Sequence, residues 1–151
     1  MLIGEAPGRD EDAQGIAFVG RSGRLLDAML EEAGWNPTSE IIIANVVKCR
    51  PPDNRPPQQK EVNECLPFLR KQIELLKPQQ IALLGATAVK HLLGDKRPMN
   101  QLVGEFLTSE SYPDQKFTVL FHPAFILRSP TRRGEMVGWL KNLRRQRTSS
   151  R

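Results

Sequence analysis

The stretch Asn45-Val-Val-Lys-Cys-Arg-Pro-Pro-Asp-Asn-Arg-Pro-Pro, ending at Pro57, leaves this chain few ways to fold. An apolar run from Ile41 to Ala44 feeds into it. Ile41-Ile42-Ile43 is β-branched and has no polar alternation, which predicts a strand buried on both faces, as in a parallel sheet. The chain turns polar at Asn45, at the carboxyl end of that strand. In open α/β sheets this rim is where ligands bind. The prolines that follow disfavour helix and predict an extended loop carrying Lys48, Cys49, Arg50 and Arg55. One strand thus delivers an amide, a thiol and three cations to one sheet edge.

The rest of the chain repeats the pattern. Met1-Leu2-Ile3 reads as the end of a strand, followed by the tight loop Gly4-Glu5-Ala6-Pro7-Gly8, whose small residues let backbone approach a ligand closely. Arg9 to Asp12 reads as a mobile polar segment. Phe18, set among small residues between Gly15 and Gly20, could plug the core or offer its face to a flat base. Ser22 is expected to N-cap a helix bearing Leu25, Leu26, Met29 and Leu30, which Gly34 ends. A long amphipathic helix is expected from Gln58 to Lys77, stopped by Pro78, with Cys65 beside its apolar face. Ile81 to Leu84 predicts a third strand, followed by a short helix. Leu102 to Leu107 predicts at most a short strand. Phe117 to Phe121 predicts the fourth, delivering His122-Pro123 to the same rim. A last amphipathic helix runs from about Arg132 to Arg145. Its basic tail, Lys141, Arg144, Arg145, Arg147 and Arg151, reads as a solvated terminus or a phosphate holder.

A chain of 151 residues with 39% hydrophobic content is long enough for one cored domain, taken as 1–151. Two cysteines cannot staple a domain of this size, which points to a reducing, cytoplasmic setting. No apolar run approaches the ~20 residues of a membrane span, and no signal peptide opens the chain. Because a domain seldom begins mid-strand, the chain is expected to be N-terminally truncated. The formal charge of +5 suits a soluble surface or nucleic acid. The alternation of strands and helices predicts an α/β fold, a three-layer α/β/α sandwich around a mainly parallel four-stranded sheet.

Taken together, Gly4-Glu5-Ala6-Pro7-Gly8, Phe18-Val19-Gly20-Arg21-Ser22-Gly23, the Asn45 to Pro56 segment and His122-Pro123 resemble the motifs of the family 4 uracil-DNA glycosylases, the iron–sulfur type. The resemblance runs in order along the whole chain. It implies a hydrolase of base excision repair that flips uracil from DNA and cleaves its N-glycosidic bond. Glu5, Ala6, Asn45 and His122 would carry the chemistry, Ala6 standing where better-known uracil glycosylases have aspartate. Gly4, Pro7, Gly8 and Phe18 would complete the uracil pocket. Arg21, Ser22, Lys48, Arg50, Arg55, Leu127 and Arg128 would meet DNA, Ile126 to Arg128 falling where the family's loop enters the minor groove.

The resemblance also implies a [4Fe-4S] cluster held by four cysteines. Cys49 and Cys65 match the later two, and the earlier pair has no counterpart in this chain. Two thiolates are too few for a cubane, so either the remaining ligands lie outside this sequence or the two thiols are unligated. A monomer suffices for such a reaction. Two other functions stay open: a catalytically silent DNA-binding or polymerase-associated domain, and a glycosylase for another damaged base.

Overall fold

The computed structural model describes residues 1–149. Its single sheet has five strands in the order β2-β1-β3-β5-β4. They are β1 (Leu2–Gly4), β2 (Ile43–Asn45), β3 (Ile81–Leu84), β4 (Phe106–Ser109) and β5 (Tyr112–Leu120). The first three and β5 pair in parallel, while β4 lies antiparallel on β5 at the far edge. The four-stranded expectation is therefore corrected to five. The added strand is β4, which overlaps only the end of the short stretch expected at Leu102 to Leu107; its residues alternate between exposed and half-buried, so no buried apolar run marks it.

Strand alternation feeds two cores. Ile3, Ile81, Leu83, Phe117 and Val119 face one way and pack with Val62, Leu69 and Ile73 of helix α3 (Gln59–Leu76) and Val89 of α4 (Ala86–Leu93). Leu2, Ala82, Leu84 and Leu120 face the other way. They meet Leu26, Met29 and Leu30 of α2 (Arg21–Glu32), and Met136, Val137 and Leu140 of α7 (Arg133–Ser149). Each fully buried Leu or Ile contributes roughly 1.5–3 kcal/mol. Two smaller helices, α5 (Met99–Leu102) and α6 (Pro123–Arg128), complete the layers together with α1 (Arg9–Gln14).

Several local expectations change. Ile42 is exposed and the strand begins only at Ile43 on the sheet edge, although the Ile42 carbonyl still accepts the Leu2 N–H at 2.8 Å. The segment after Gly8 is helical rather than mobile, with Asp10, Glu11 and Asp12 in a first turn where the helix dipole favours carboxylates. Gly20, not Ser22, is the N-cap of α2, so Ser22 lies inside the first turn. The tail cations are not all free. Arg144 and Arg147 pair with Glu40 and lie over the Trp35 ring, whose indole N–H donates to the Leu140 carbonyl. Arg151 lies outside the described residues.

Candidate active site

The carboxyl ends of β1, β2, β3 and β5 open on one rim. There β2 stays locked to β1 beyond the strand: Val46 N–H donates to the Gly4 carbonyl at 2.9 Å and Val47 N–H to that of Glu5 at 3.0 Å. Asn45 is thereby fixed against the Gly4–Gly8 loop. A Cβ at Gly4 would stand 2.7 Å from Asn45 Oδ1 and 2.7 Å from Phe18 Cζ. Only glycine lets the amide and the ring close in this way. Gly4→Ala is accordingly expected to destabilise the fold by about 1–3 kcal/mol, since overpacking a tight contact has that cost; thermal melting of the purified variant checks this.

Phe18 is buried, holds a left-handed φ of 53°, and rests on the first turn of α2. Across from it stands His122, with ring centroids 5.8 Å apart. His122 caps α6, its Nδ1 accepting the Ala124 N–H at 3.1 Å. In the neutral ring the proton must then sit on Nε2. Burial, and next the charge of Arg128, push its pKa down to about 4. At neutral pH this residue is an uncharged Nε2–H donor.

Among the described residues, Asn45 Oδ1 is buried with no hydrogen-bond partner. An orphaned acceptor of this kind costs about 1–3 kcal/mol unless a ligand satisfies it. Together with Ala6, Gly8, Glu11, Phe18, Ser22 and His122, it lines a cavity of about 110 Å³. A groove of about 810 Å³ adjoins the cavity, sharing Ala6, Gly8 and His122 with it. Glu5, Pro7, Arg55 and Arg128 also line this groove.

The structure thus gathers Ala6, Gly8, Phe18, Ser22, Asn45 and His122 in one cavity and sets Glu5 and Pro7 in the groove beside it. Glu11, which the sequence did not single out, lines the cavity instead of Glu5; its Oε1 accepts the Gly20 N–H at 2.9 Å. An acidic first turn was the one signal that could have found it. The cations differ among themselves. Arg55 pairs with Glu61, whose carboxyl is held down at about 2 by that guanidinium and by the Gln58 N–H. Arg50 donates to Asn54 Oδ1, and Lys48 turns inward. Arg21 and Arg128 are exposed and make no ion pair among the described residues. Leu127 is half-buried on α6.

Cys49 is exposed and Cys65 half-buried, its Sγ accepting the Lys48 N–H at 3.4 Å. Among the described residues no three His, Cys, Asp or Glu side chains gather as a metal site.

The uracil DNA glycosylase superfamily model matches residues 1–144. The type-4 uracil-DNA glycosylase of Pyrobaculum aerophilum is 41% identical over 140 residues, covering 89% of this chain and 71% of that protein. That of Sulfurisphaera tokodaii is 35% identical over 149 residues, covering 95% and 68%. A DNA polymerase of Bacillus phage SP01 is 26% identical over 130 residues, 86% of this chain but only 14% of the phage protein.

Proposed function

Because this chain belongs to the type-4 uracil-DNA glycosylases of the uracil DNA glycosylase superfamily, we propose that its small cavity receives a uracil flipped out of DNA and that its residues release the base by hydrolysis. It is a DNA glycosylase, and its product in base excision repair is free uracil and an abasic site. The observation that carries this reading is the buried, unpartnered Asn45 Oδ1 in a small cavity beside a neutral histidine donor.

Extruding the base costs a few kcal/mol of stacking, which the pocket must return. Phe18 offers the flat surface. Asn45 Oδ1 accepts the uracil N3–H while its amide N–H₂ donates to O4. Cytosine presents the opposite pattern, an amine at C4 and a bare N3, and leaves both groups of the amide mismatched. Asn45→Ala is expected to reduce kcat/KM on uracil by roughly 5- to 150-fold, the equivalent of about 1–3 kcal/mol, measured against the same oligonucleotide.

As the bond between uracil N1 and the sugar C1′ breaks, its electron pair moves into the ring and charge builds on O2. In this reading the His122 Nε2–H donates there. Water adds to the oxocarbenium-like sugar, giving its hydroxyl to C1′, and the proton it releases balances the departing uracil anion. With alanine at position 6, no carboxylate at that site activates the water. Stabilisation of the leaving group therefore carries more of the barrier.

The His122 pKa sets a pH dependence. In the unfolded chain the imidazole titrates near ~6.5, and in the fold at about 4. The unfolded state therefore binds the proton first on acidification, and stability falls as pH drops from ~6.5 toward about 4. The donor in the folded protein, by contrast, stays mostly neutral until the pH nears about 4. Activity governed by His122 is expected to hold down to about pH 5, a profile that kcat measured against pH will show.

The [4Fe-4S] cluster that the resemblance implies requires four thiolates. Cys49 and Cys65 supply two, and no further donors gather with them among the described residues. The residues present do not complete a cluster. Among the described residues, no helix is long and apolar enough to cross a membrane. The test of this reading is uracil release from single- and double-stranded oligonucleotides. Salt-dependent DNA binding with no release would make this a silent DNA-binding domain instead.

A further inference from the structure

The loop after β2 carries three cations that the sequence assigned alike to DNA, but Lys48 is built differently. Its Nζ donates to the backbone carbonyl of Asn45 at 2.9 Å and to Gln72 Oε1 on α3 at 2.7 Å. Its own N–H reaches Cys65 Sγ, also on α3, at 3.4 Å. We propose that Lys48 is a positioning residue for uracil recognition, holding the Asn45 peptide, and with it the base-reading amide, in register against α3.

The topology explains why such a brace is needed. β2 is an edge strand with β1 as its one neighbour, so its carbonyls on the open side have no ladder partner. Asn45 is the last residue of that strand. On the β1 side, Val46 N–H is tied to Gly4. On the other side, Lys48 fills the place of a neighbouring strand. The amide has little room to err, since Gly4 lies so near it that a Cβ there would stand 2.7 Å from Asn45 Oδ1. A lysine serving phosphates would leave its head in water and gain from the counterions released on binding.

This inference rests on the uracil reading, and the test separates the two. Wild-type enzyme must first release uracil; if it releases none, that reading fails before any variant is examined. Lys48→Met is then compared with wild type for inhibition by free uracil, affinity for abasic-site DNA, and KM and kcat on uracil DNA. The expected result is a uracil inhibition constant raised about tenfold with KM following it, and kcat changed less than about threefold. Abasic-DNA affinity and its salt dependence should stay at wild-type values. Lys48→Arg should lose as much uracil affinity as Lys48→Met, because a planar fork does not replace a compact ammonium between two oxygens. The inference is overturned if uracil inhibition stays within about twofold while DNA affinity falls and its salt slope drops by about one, the mark of a lost phosphate contact. It is equally overturned if no binding parameter changes. Should Lys48→Met fail to fold, Gln72→Ala removes the α3 end of the brace. It is then expected to raise the uracil constant about threefold, and an unchanged constant rejects the proposal.

Discussion

Replacing His122 with alanine is expected to lower kcat by roughly 100- to 1,000-fold while KM changes only a few-fold, the usual effect of deleting one preorganised donor to a developing anion. The ground-state carbonyl oxygen of uracil needs little from His122. The anion forming at O2 needs much more, so the loss falls on the transition state. The geometry favours this role. The Ala124 N–H occupies Nδ1 and leaves the proton on Nε2, while burial keeps the ring from becoming a cation. A neutral donor in a dry site adds no charge that would hold the product anion in place. His122→Asn, which keeps a shorter donor, should recover part of the loss. Single-turnover rates on one uracil oligonucleotide compare the three proteins directly.

The second large effect concerns a residue with no role in the chemistry. Gly23 lies in the first turn of α2, and a Cβ there would stand 1.9 Å from the Phe18 carbonyl oxygen and 2.7 Å from its Cα. Those atoms are backbone and cannot swing aside. On helix propensity alone, Gly23→Ala would stabilise α2 by about 1 kcal/mol. The collision outweighs that gain, because overpacking a tight contact costs about 1–3 kcal/mol and more where backbone must move. Phe18 already holds a left-handed φ and has little freedom to retreat. The variant is expected to melt roughly 3–10 °C lower, and to raise KM for uracil DNA at least about tenfold as the stacking ring leaves its place. A higher melting temperature would mean that propensity wins and that the Phe18 loop yields readily.

What the sequence made legible follows from how each feature is encoded. Strands that end abruptly in polar residues announce the rim, which is why Asn45 and His122 could be placed from the chain alone. β3 and its flanking helices were equally plain, since Ile81 to Leu84 is buried on both faces and reads as a continuous apolar run. The start of β2 was misplaced because Ile42 is apolar yet exposed, and composition does not reveal which residues of an edge strand stay open to water. α1 was missed for the opposite reason. It buries no residue, so it has no periodicity to detect, and three acids follow Arg9 in its first turn. Glu11 was not singled out, and Lys48 was assigned to DNA alone, because the contacts they make depend on partners at a distance. Glu11 meets Gly20 across a turn, and Lys48 meets Gln72, 24 residues away on another helix. Side chains that turn inward from polar segments have no sequence signature of their own.

The central claim is that Asn45 and His122 form one pocket that reads and releases uracil. Its most direct test is base release from oligonucleotides of one sequence that differ at a single position, carrying uracil or cytosine, with wild-type protein and His122→Ala side by side. The account predicts free uracil and an abasic site from the first substrate, no detectable cytosine from the second, and a uracil rate lowered at least about 100-fold in the variant. Equal release of both bases, or a variant as active as wild type, would contradict it.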